Sequence, residues 1–212
     1  MNSEPFHRGA EADLYAAHAG PWKVVIKKRN PKQYREPVLD ASIRRERTTA
    51  ESSLIHESRL AGVRVPSLIA VDLDNTSIVM TFVDGVLVRD GLDAMSPIGR
   101  KRFFIELGRQ VGLLHSGGIV HGDLTTSNII SSHDIPFLLD FGMAHHSSQP
   151  EDRAVDLHLL QRSISTSHTS KPSACISSLV NGYRKTLGDR AARIVWRKAT
   201  EISRRGRYFS VR

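Results

Sequence analysis

The chain has almost no cysteine. Cys175 is the only one among 212 residues, which excludes an internal disulfide and a metal site built on several thiolates. It is read as a small buried hydrophobe rather than a reactive thiol. No apolar run is long enough to cross a bilayer. The opening stretch, MNSEPFHRGAEADLY, lacks both the apolar core of a secretory signal and an arginine-rich amphipathic pattern. A cytoplasmic protein with no membrane attachment is therefore expected. Internal repeats and long linkers are also missing. What is present is ordinary for a globular chain, 40% hydrophobic and 25% charged, with length for one large domain or two small lobes sharing a cleft.

Charge is unevenly placed. Lysine and arginine number 30 against 22 aspartates and glutamates, a net +8. From Arg184 to the end there are ten basic residues and two acidic ones, so this segment alone carries the whole surplus. A basic C-terminal surface fits a polyanionic partner such as RNA. It equally fits a solvated helix face with a basic tail, and charge by itself does not separate the two.

Strand signals dominate the first part and helix signals the second, which predicts two lobes. Trp22 to Ile26 (WKVVI) reads as a strand. Arg44 to Ala61 reads as a helix ended by Gly62, with Pro66 beyond. Strands are predicted at 67–71 and 77–82 around a hairpin-like connection at 72–75. Phe82-Val83-Asp84-Gly85 is a natural break, placing a β-rich lobe at 1–83 and a mainly helical lobe at 84–212. Between Pro97 and His115 apolar residues recur at helical spacing, up to Gly117-Gly118. Further helices are predicted near 155–162, 179–187 and 191–204. The Ser/Thr-rich stretch at 163–178 reads as a loop.

The chemistry is carried by His121-Gly122-Asp123-Leu124-Thr125-Thr126-Ser127-Asn128 followed by Asp140-Phe141-Gly142. Phosphoryl transfer from ATP needs metal ions on oxygen ligands and a carboxylate facing the acceptor. Asn128 and Asp140 offer the oxygens that Mg prefers, and Asp123 is the candidate catalytic group. Short apolar runs flank both motifs, so the polar groups project from the ends of a small hairpin. A lone DFG is a weak signal, but an HxDxxxxN loop shortly before it has the order of a protein-kinase signature. Upstream, Val24-Val25-Ile26-Lys27 matches V-A-I-K on a strand. Paired lysines are usually both solvated, yet strand alternation sends Lys27 and Lys28 to opposite faces. Lys27 holds the motif position and is the expected phosphate contact. Glu51 is the expected helix partner for it, with Glu46 and Glu57 as rivals.

Beyond the general signature, four stretches resemble one family: GAEADLY at Gly9, VIKKRNPKQYREPVLD at Val24, HGDLTTSNII at His121, and DFG followed by EDRAVDLHLLQRS. The ending RRGRYFSVR is similar to the same family's basic tail. This is the small atypical serine/threonine kinase/ATPase subunit of the KEOPS complex, related to p53-related protein kinase. The short chain without a fused partner domain resembles the archaeal standalone type. The resemblance implies an α+β, reduced bilobal protein-kinase-like fold, with ATP and Mg as cofactors. It implies association with the threonylcarbamoyl-transferase subunit and other KEOPS subunits, in support of threonylcarbamoyladenosine formation in tRNAs that read ANN codons. Carried over by position, Lys27 and Glu51 hold the nucleotide and Gly9, Ala10, Glu11 and Ala12 cover the phosphates. Phe82 and Val83 form the adenine hinge, and Asp123 is the acid/base. Asn128 and Asp140 bind Mg, while His121 and Asp156 support the loop. Arg204, Arg205, Arg207 and Arg212 are candidate RNA contacts.

Departures from ordinary protein kinases have consequences. G-A-E-A offers fewer glycines for close backbone approach to phosphate than G-x-G-x-x-G. Gly122 stands where an arginine usually pairs with a phosphorylated activation loop, so that switch is not expected. Thirteen residues separate Gly142 from Asp156 and no APE occurs, which leaves little room for a peptide-docking segment. Weak activity on free protein substrates follows. Thr81 stands where the family often has an acidic residue, which bears on nucleotide preference. The basic run Lys27, Lys28, Arg29, Lys32, Arg35 reads either as a solvated loop or as a phosphate or RNA contact. His145 and His146 lack further metal-ligand spacing. Two other functions compete: an aminoglycoside-type small-molecule phosphotransferase, which shares an HGDxxxxN-like loop, and a non-catalytic nucleic-acid scaffold in a kinase shell.

Overall fold

The β-branched residues Val24, Val25 and Ile26 favour extended chain, and strand β3, Trp22–Arg29, continues past them to include both lysines and Arg29. The computed structural model in which this is seen describes residues 4–166 and 171–208, with side chains as far as residue 205 in the last helix. β3 pairs antiparallel with β2, Ala12–Ala19, and with β5, Ser77–Thr81. β1, His7–Arg8, and β4, Leu68–Asp72, complete a sheet of order β1-β2-β3-β5-β4. Alternation along β3 buries Lys27 and Arg29 and turns Lys28 to solvent. The β4–β5 turn is set by Asp72, whose carboxylate accepts from the backbone N–H groups of Asp74 and Asn75.

Helix α1, Pro37–Leu60, starts seven residues earlier than the periodicity around Arg44 indicates. Proline at the first helical position forfeits no hydrogen bond. Glu36 then accepts from the N–H groups of Val38 (3.1 Å) and Leu39 (2.7 Å), a capping duty usually served by shorter side chains. Neither device shows in a pattern of apolar residues. The described residues fall into two compact units, one of residues 4–57 with 66–83, the other of 58–65 with those from 84 onward.

In the second unit a three-stranded sheet of order β6-β8-β9 is made from β6, Val86–Leu87, β8, Ile129–Ser132, and β9, Ile135–Leu138. A single turn of helix, α2, Val88–Gly91, follows β6. α3, Pro97–Ser116, begins with Ser96 Oγ accepting from Gly99 N at 3.1 Å and has Pro97 in its first turn. β7, Ile119–Val120, pairs with β10, His145–His146. Three helices close the unit: α4, Pro150–Thr166, α5, Pro172–Leu187, and α6, Asp189–Tyr208.

The core of this unit is the crossing of α3 and α5. Phe103, Phe104, Leu107, Val111 and Leu114 of α3 and Leu179 and Tyr183 of α5 are buried. Glycine sets the approach. A Cβ at Gly182 would lie 1.8 Å from the Ile105 carbonyl oxygen, and one at Gly108 would lie 2.0 Å from that of Leu179. The two backbones therefore meet directly, as only glycine permits.

The Ser/Thr-rich stretch expected as a loop is mostly helical: α4 runs to Thr166 and α5 starts at Pro172. The hydroxyls of Ser163, Ser165, Thr166 and Ser178 donate to the carbonyls of Leu160, Gln161, Arg162 and Ala174, so they are satisfied within their own helices. Buried Ile164 and Cys175 supply the inward face. Of the remainder, Lys171 stands just before α5 outside any helix, and 167–170 lie outside the described residues.

Candidate active site

Two short apolar strands position the acidic motifs. β8 and β9 pair so that Ile129 faces Leu138, with Asn128 just before one strand and Asp140 two residues after the end of the other. The Leu139 N–H donates to the Asn128 carbonyl at 2.9 Å, and the His121 ring Nε2 donates to the Leu139 carbonyl at 2.9 Å. The loop holding Asp123 and Asn128 is thereby tied to the segment holding Asp140. Asn128 Nδ2 donates to both the backbone oxygen and Oδ2 of Asp123, each at 2.8 Å, which leaves the amide oxygen for another partner. Asp123 and Asp140 are exposed. Asp140 has φ +58°, an uncommon conformation for a residue with a side chain, and its Oδ1 accepts from Gly142 N at 3.1 Å.

Gly122 has a backbone reason for being glycine. Its φ is +79°, and a Cβ there would sit 2.3 Å from the Met143 carbonyl oxygen. The arginine common at this place in kinases does not fit this loop.

Behind the loop lies a sealed chain of polar groups from three helices. Asp156 of α4 accepts from His121 N at 2.7 Å and from Gly122 N at 2.9 Å. Its Oδ2 also meets His115 Nε2 of α3 at 3.1 Å, and His115 Nδ1 meets the Tyr183 hydroxyl of α5 at 2.8 Å. Burial pushes His115 below the ordinary imidazole value, so the ring is neutral. Its Nε2–H donates to Asp156 and its Nδ1 accepts from Tyr183. Burial alone would raise the Asp156 carboxyl, but the His115, His121 and backbone donors outweigh it and keep the group ionised. Burial raises the Tyr183 phenol well above its usual range, so it stays a donor.

In the first unit, Lys27 Nζ lies 2.6 Å from Glu51 Oε1, both side chains being buried. Of the rival acids, Glu46 is exposed and Glu57 half-buried. Arg29, two residues along the same strand face, shares the glutamate: its Nη2 is 2.6 Å from Glu51 Oε2. Its Nη1 reaches Glu11 Oε2 at 3.2 Å, and Arg47 of α1 pairs with Glu11 Oε1. The Arg47 hydrogen bond does most to hold the Glu11 carboxyl below the usual range. Gly9 to Ala12 form a turn closed by Gly9 N donating to Ala12 O at 3.0 Å, and the Ala10 carbonyl accepts from Lys32 Nζ.

Phe82 is exposed and Val83 half-buried after β5, and the Phe82 N–H donates to the Lys23 carbonyl at 3.1 Å. Thr81 is locked to Ser67, whose N–H donates to Thr81 Oγ1 at 2.9 Å. Arg204 and Arg205 are exposed on α6; the Arg207 side chain and all of Arg212 lie outside the described residues. Sequence reasoning missed His115, Tyr183 and Arg47, and it did not foresee that Arg29 would share Glu51. Their partners lie far along the chain and no local motif announces them.

The donors carried by the two motifs are two carboxylates and an amide oxygen, all hard, which suits Mg rather than a metal preferring nitrogen or sulfur. Among the described residues no group of three or more His, Cys, Asp or Glu side chains forms a metal cluster, and His145 and His146 stand in exposed β10. No described helix is long and apolar enough to cross a membrane.

The model of the RIO domain matches residues 23–166. The KEOPS complex subunit Bud32 of Pyrococcus abyssi is 37% identical over 95% of this chain and 94% of its own length. The corresponding subunit of Dictyostelium discoideum is 33% identical over 94% of the chain and 81% of its length. A probable bifunctional tRNA threonylcarbamoyladenosine biosynthesis protein of Methanothermobacter thermautotrophicus is 37% identical, but the chain spans only 36% of that protein. Among solved structures, the ADP/Mg2+-phosphoaspartate complex of the Rio2 kinase from Chaetomium thermophilum superposes with a TM-score of 0.64 at 16% identity, over 94% of this chain and 70% of that one. That likeness shows the fold, α+β and protein-kinase-like.

Proposed function

The chain belongs to the RIO-domain family, in the branch of the KEOPS complex subunit Bud32, and from that premise we propose that it is an ATP-dependent phosphotransferase and ATPase serving tRNA threonylcarbamoyladenosine biosynthesis. It is a subunit of a KEOPS complex. Its partners there include the threonylcarbamoyl-transferase subunit, and tRNA meets the basic C-terminal surface, in the cytoplasm.

One observation carries the catalytic part of this reading. Asp123, Asn128 and Asp140 come from two motifs tied together by a backbone hydrogen bond and by the His121 ring, and a buried carboxylate, Asp156, grips the loop from behind. Asn128 and Asp140 would hold Mg through oxygen, and the ion would supply charge neutralisation at the transferring phosphoryl group. Asp123 orients the acceptor hydroxyl or water and takes its proton; its bonds to the Asn128 amide fix the carboxylate's direction. Lys27, steadied by Glu51, would contact the nucleotide phosphates, and the turn from Gly9 to Ala12 would cover them. The Phe82 carbonyl and the Val83 backbone are the groups offered to adenine, the Phe82 N–H being engaged with Lys23. A loop that cannot hold an arginine at position 122 has no phosphorylated-segment switch, which favours ATP turnover within a complex over phosphorylation of free proteins.

The test is steady-state ATP hydrolysis with and without the transferase subunit and tRNA. Hydrolysis should rise when both are present, and Asp123→Ala should lower it by at least about 100-fold with an unchanged melting temperature, since the residue is exposed. Hydrolysis indifferent to both partners would remove the assembly role. Full turnover by the variant would remove Asp123 from the chemistry. A panel of alcohols and amino sugars, each tested as acceptor, separates this activity from small-molecule phosphotransfer.

A further inference from the structure

Three members of the basic run that the sequence leaves open as solvated loop or phosphate contact, Arg29, Lys32 and Arg35, line a cavity, while Lys27 and Lys28 do not. The cavity lies within the first unit and has a volume of about 190 Å³. Five cations line it, Arg29, Lys32, Arg35, Arg44 and Arg47, and Glu11 is the only carboxylate in the lining. Three of the four arginines are aimed from behind by buried acids, and Arg47 pairs with Glu11 alone. Glu51, 2% exposed, fixes Arg29 through Nη2 and leaves Nη1 directed at Glu11. Asp40, also 2% exposed, meets Arg44 Nε at 2.7 Å and lies 3.5 Å from Arg35 Nη1. Arg44 Nη1 is further held by Thr76 Oγ1 at 2.8 Å, and the Arg35 guanidinium lies over the Tyr34 ring at 5.3 Å. Guanidinium groups oriented in this way by supporting carboxylates are the usual means of recognising a tetrahedral oxyanion. Glu11, 46% exposed on a short turn, bridges Arg29 and Arg47 as an anion would.

We propose that this cavity binds a phosphate dianion or monoester, with Glu11 as its resident counter-ion, displaced outward when the ligand enters. The volume admits a phosphoryl head group and is too small for a nucleotide. A phosphoryl group on a side chain carries about 1.5–2 negative charges at neutral pH, and free phosphate between one and two, where Glu11 carries one, so the exchange gains charge. Free phosphate and a phosphoryl group on a serine side chain share this chemistry. The cavity shares Ala10 and Glu11 with the turn assigned to the nucleotide phosphates, and a titration without nucleotide tests it apart from that reading.

The experiment titrates the full chain, free of nucleotide, with inorganic phosphate and separately with O-phosphoserine, by calorimetry at constant ionic strength. Glu11→Gln removes the competing carboxylate and should tighten phosphate binding by about tenfold. Asp74→Asn, the same charge change on the exposed β4–β5 turn, should leave it unchanged. The double variant Arg35→Gln/Arg47→Gln should weaken binding by at least about tenfold, with circular dichroism and melting confirming that it folds. Tighter binding of phosphoserine than of phosphate assigns the site to a phosphorylated side chain; the reverse assigns it to the free anion. No phosphate binding, equal effects of Glu11→Gln and Asp74→Asn, or loss on Lys27→Ala with retention in the arginine variant would each overturn the proposal.

Discussion

Tyr183 contributes one hydroxyl to the site, and that hydroxyl decides which nitrogen of His115 carries the proton. With Tyr183 donating to Nδ1, the ring must present Nε2–H to Asp156. Phenylalanine at 183 keeps the packing and leaves Nδ1 unpaired in a site with no access to water, since His115 is fully buried. Tyr183→Phe should therefore lower stability by about 1–3 kcal/mol, read from chemical denaturation. It should also lower turnover more than it changes the KM for ATP, because the loop it steadies carries Asp123. Equal stability of the two proteins would show that the ring finds another partner. His115 and Tyr183 are residues the sequence does not reveal, whereas Asp156 is named by the resemblance. HGDLTTSN and DFG are legible because their members are neighbours along the chain. His115, Asp156 and Tyr183 become a unit only when three helices meet, across separations of 41 and 68 residues.

Elements show the same division between local and distant causes. Helix α3 is visible in its apolar spacing, as are the strands on either side of Asp72. The start of α1 and the helical ends of the Ser/Thr-rich stretch are not, because a glutamate cap and hydroxyl-to-carbonyl bonds leave no apolar signature. The α3–α5 crossing sets local preference directly against packing. Alanine at position 182 is favoured over glycine by about 1 kcal/mol in an isolated helix. In this protein its Cβ would lie 1.8 Å from a carbonyl oxygen of α3, and moving the helices apart costs about 1–3 kcal/mol or more. Gly182→Ala should lower the melting temperature despite its helix propensity; a rise would mean the helices separate at no cost. A second element, the segment 58–65, is joined to α3 through Glu106, which Arg64 and Arg109 both contact. Arg109 above all, with Gln110 and Arg64, lowers the Glu106 carboxyl from 4.5 to about 2. A depressed carboxylate stabilises the fold above its unfolded pKa, and that contribution is lost as pH falls through the folded one. Glu106→Gln should therefore cost about 1 kcal/mol at neutral pH, discounted for solvent screening. The gap from wild type should narrow between pH 4.5 and 2, as measured by urea denaturation across that range. A gap constant with pH would show that the ion pairs contribute nothing.

For the molecule as a whole, charge placement is legible in the sequence and charge availability is not. Ten of the basic residues lie at or after Arg184, but the structure shows several engaged within the fold. Lys198 pairs with Glu151, Arg184 lies 2.8 Å from Asp189, and Arg197 lies 3.9 Å from Glu201. Arg190, Arg193, Arg204 and Arg205 are exposed along α6. A solvated helix face needs no partner, whereas a surface that binds RNA must release counterions when phosphates replace them, and salt dependence separates the two. Removing the residues after Arg204 takes away Arg205, Arg207 and Arg212. If they contact tRNA phosphates, affinity should fall, and the slope of log affinity against log salt should flatten by up to about 2–3. The measurement is filter binding or fluorescence anisotropy over a salt series, with circular dichroism to show that the rest of α6 keeps its helix. Loss of affinity with an unchanged slope would point to an uncharged contact. An unchanged affinity and slope would leave the surplus charge as solvation alone, and would shift tRNA recognition to other subunits of the complex.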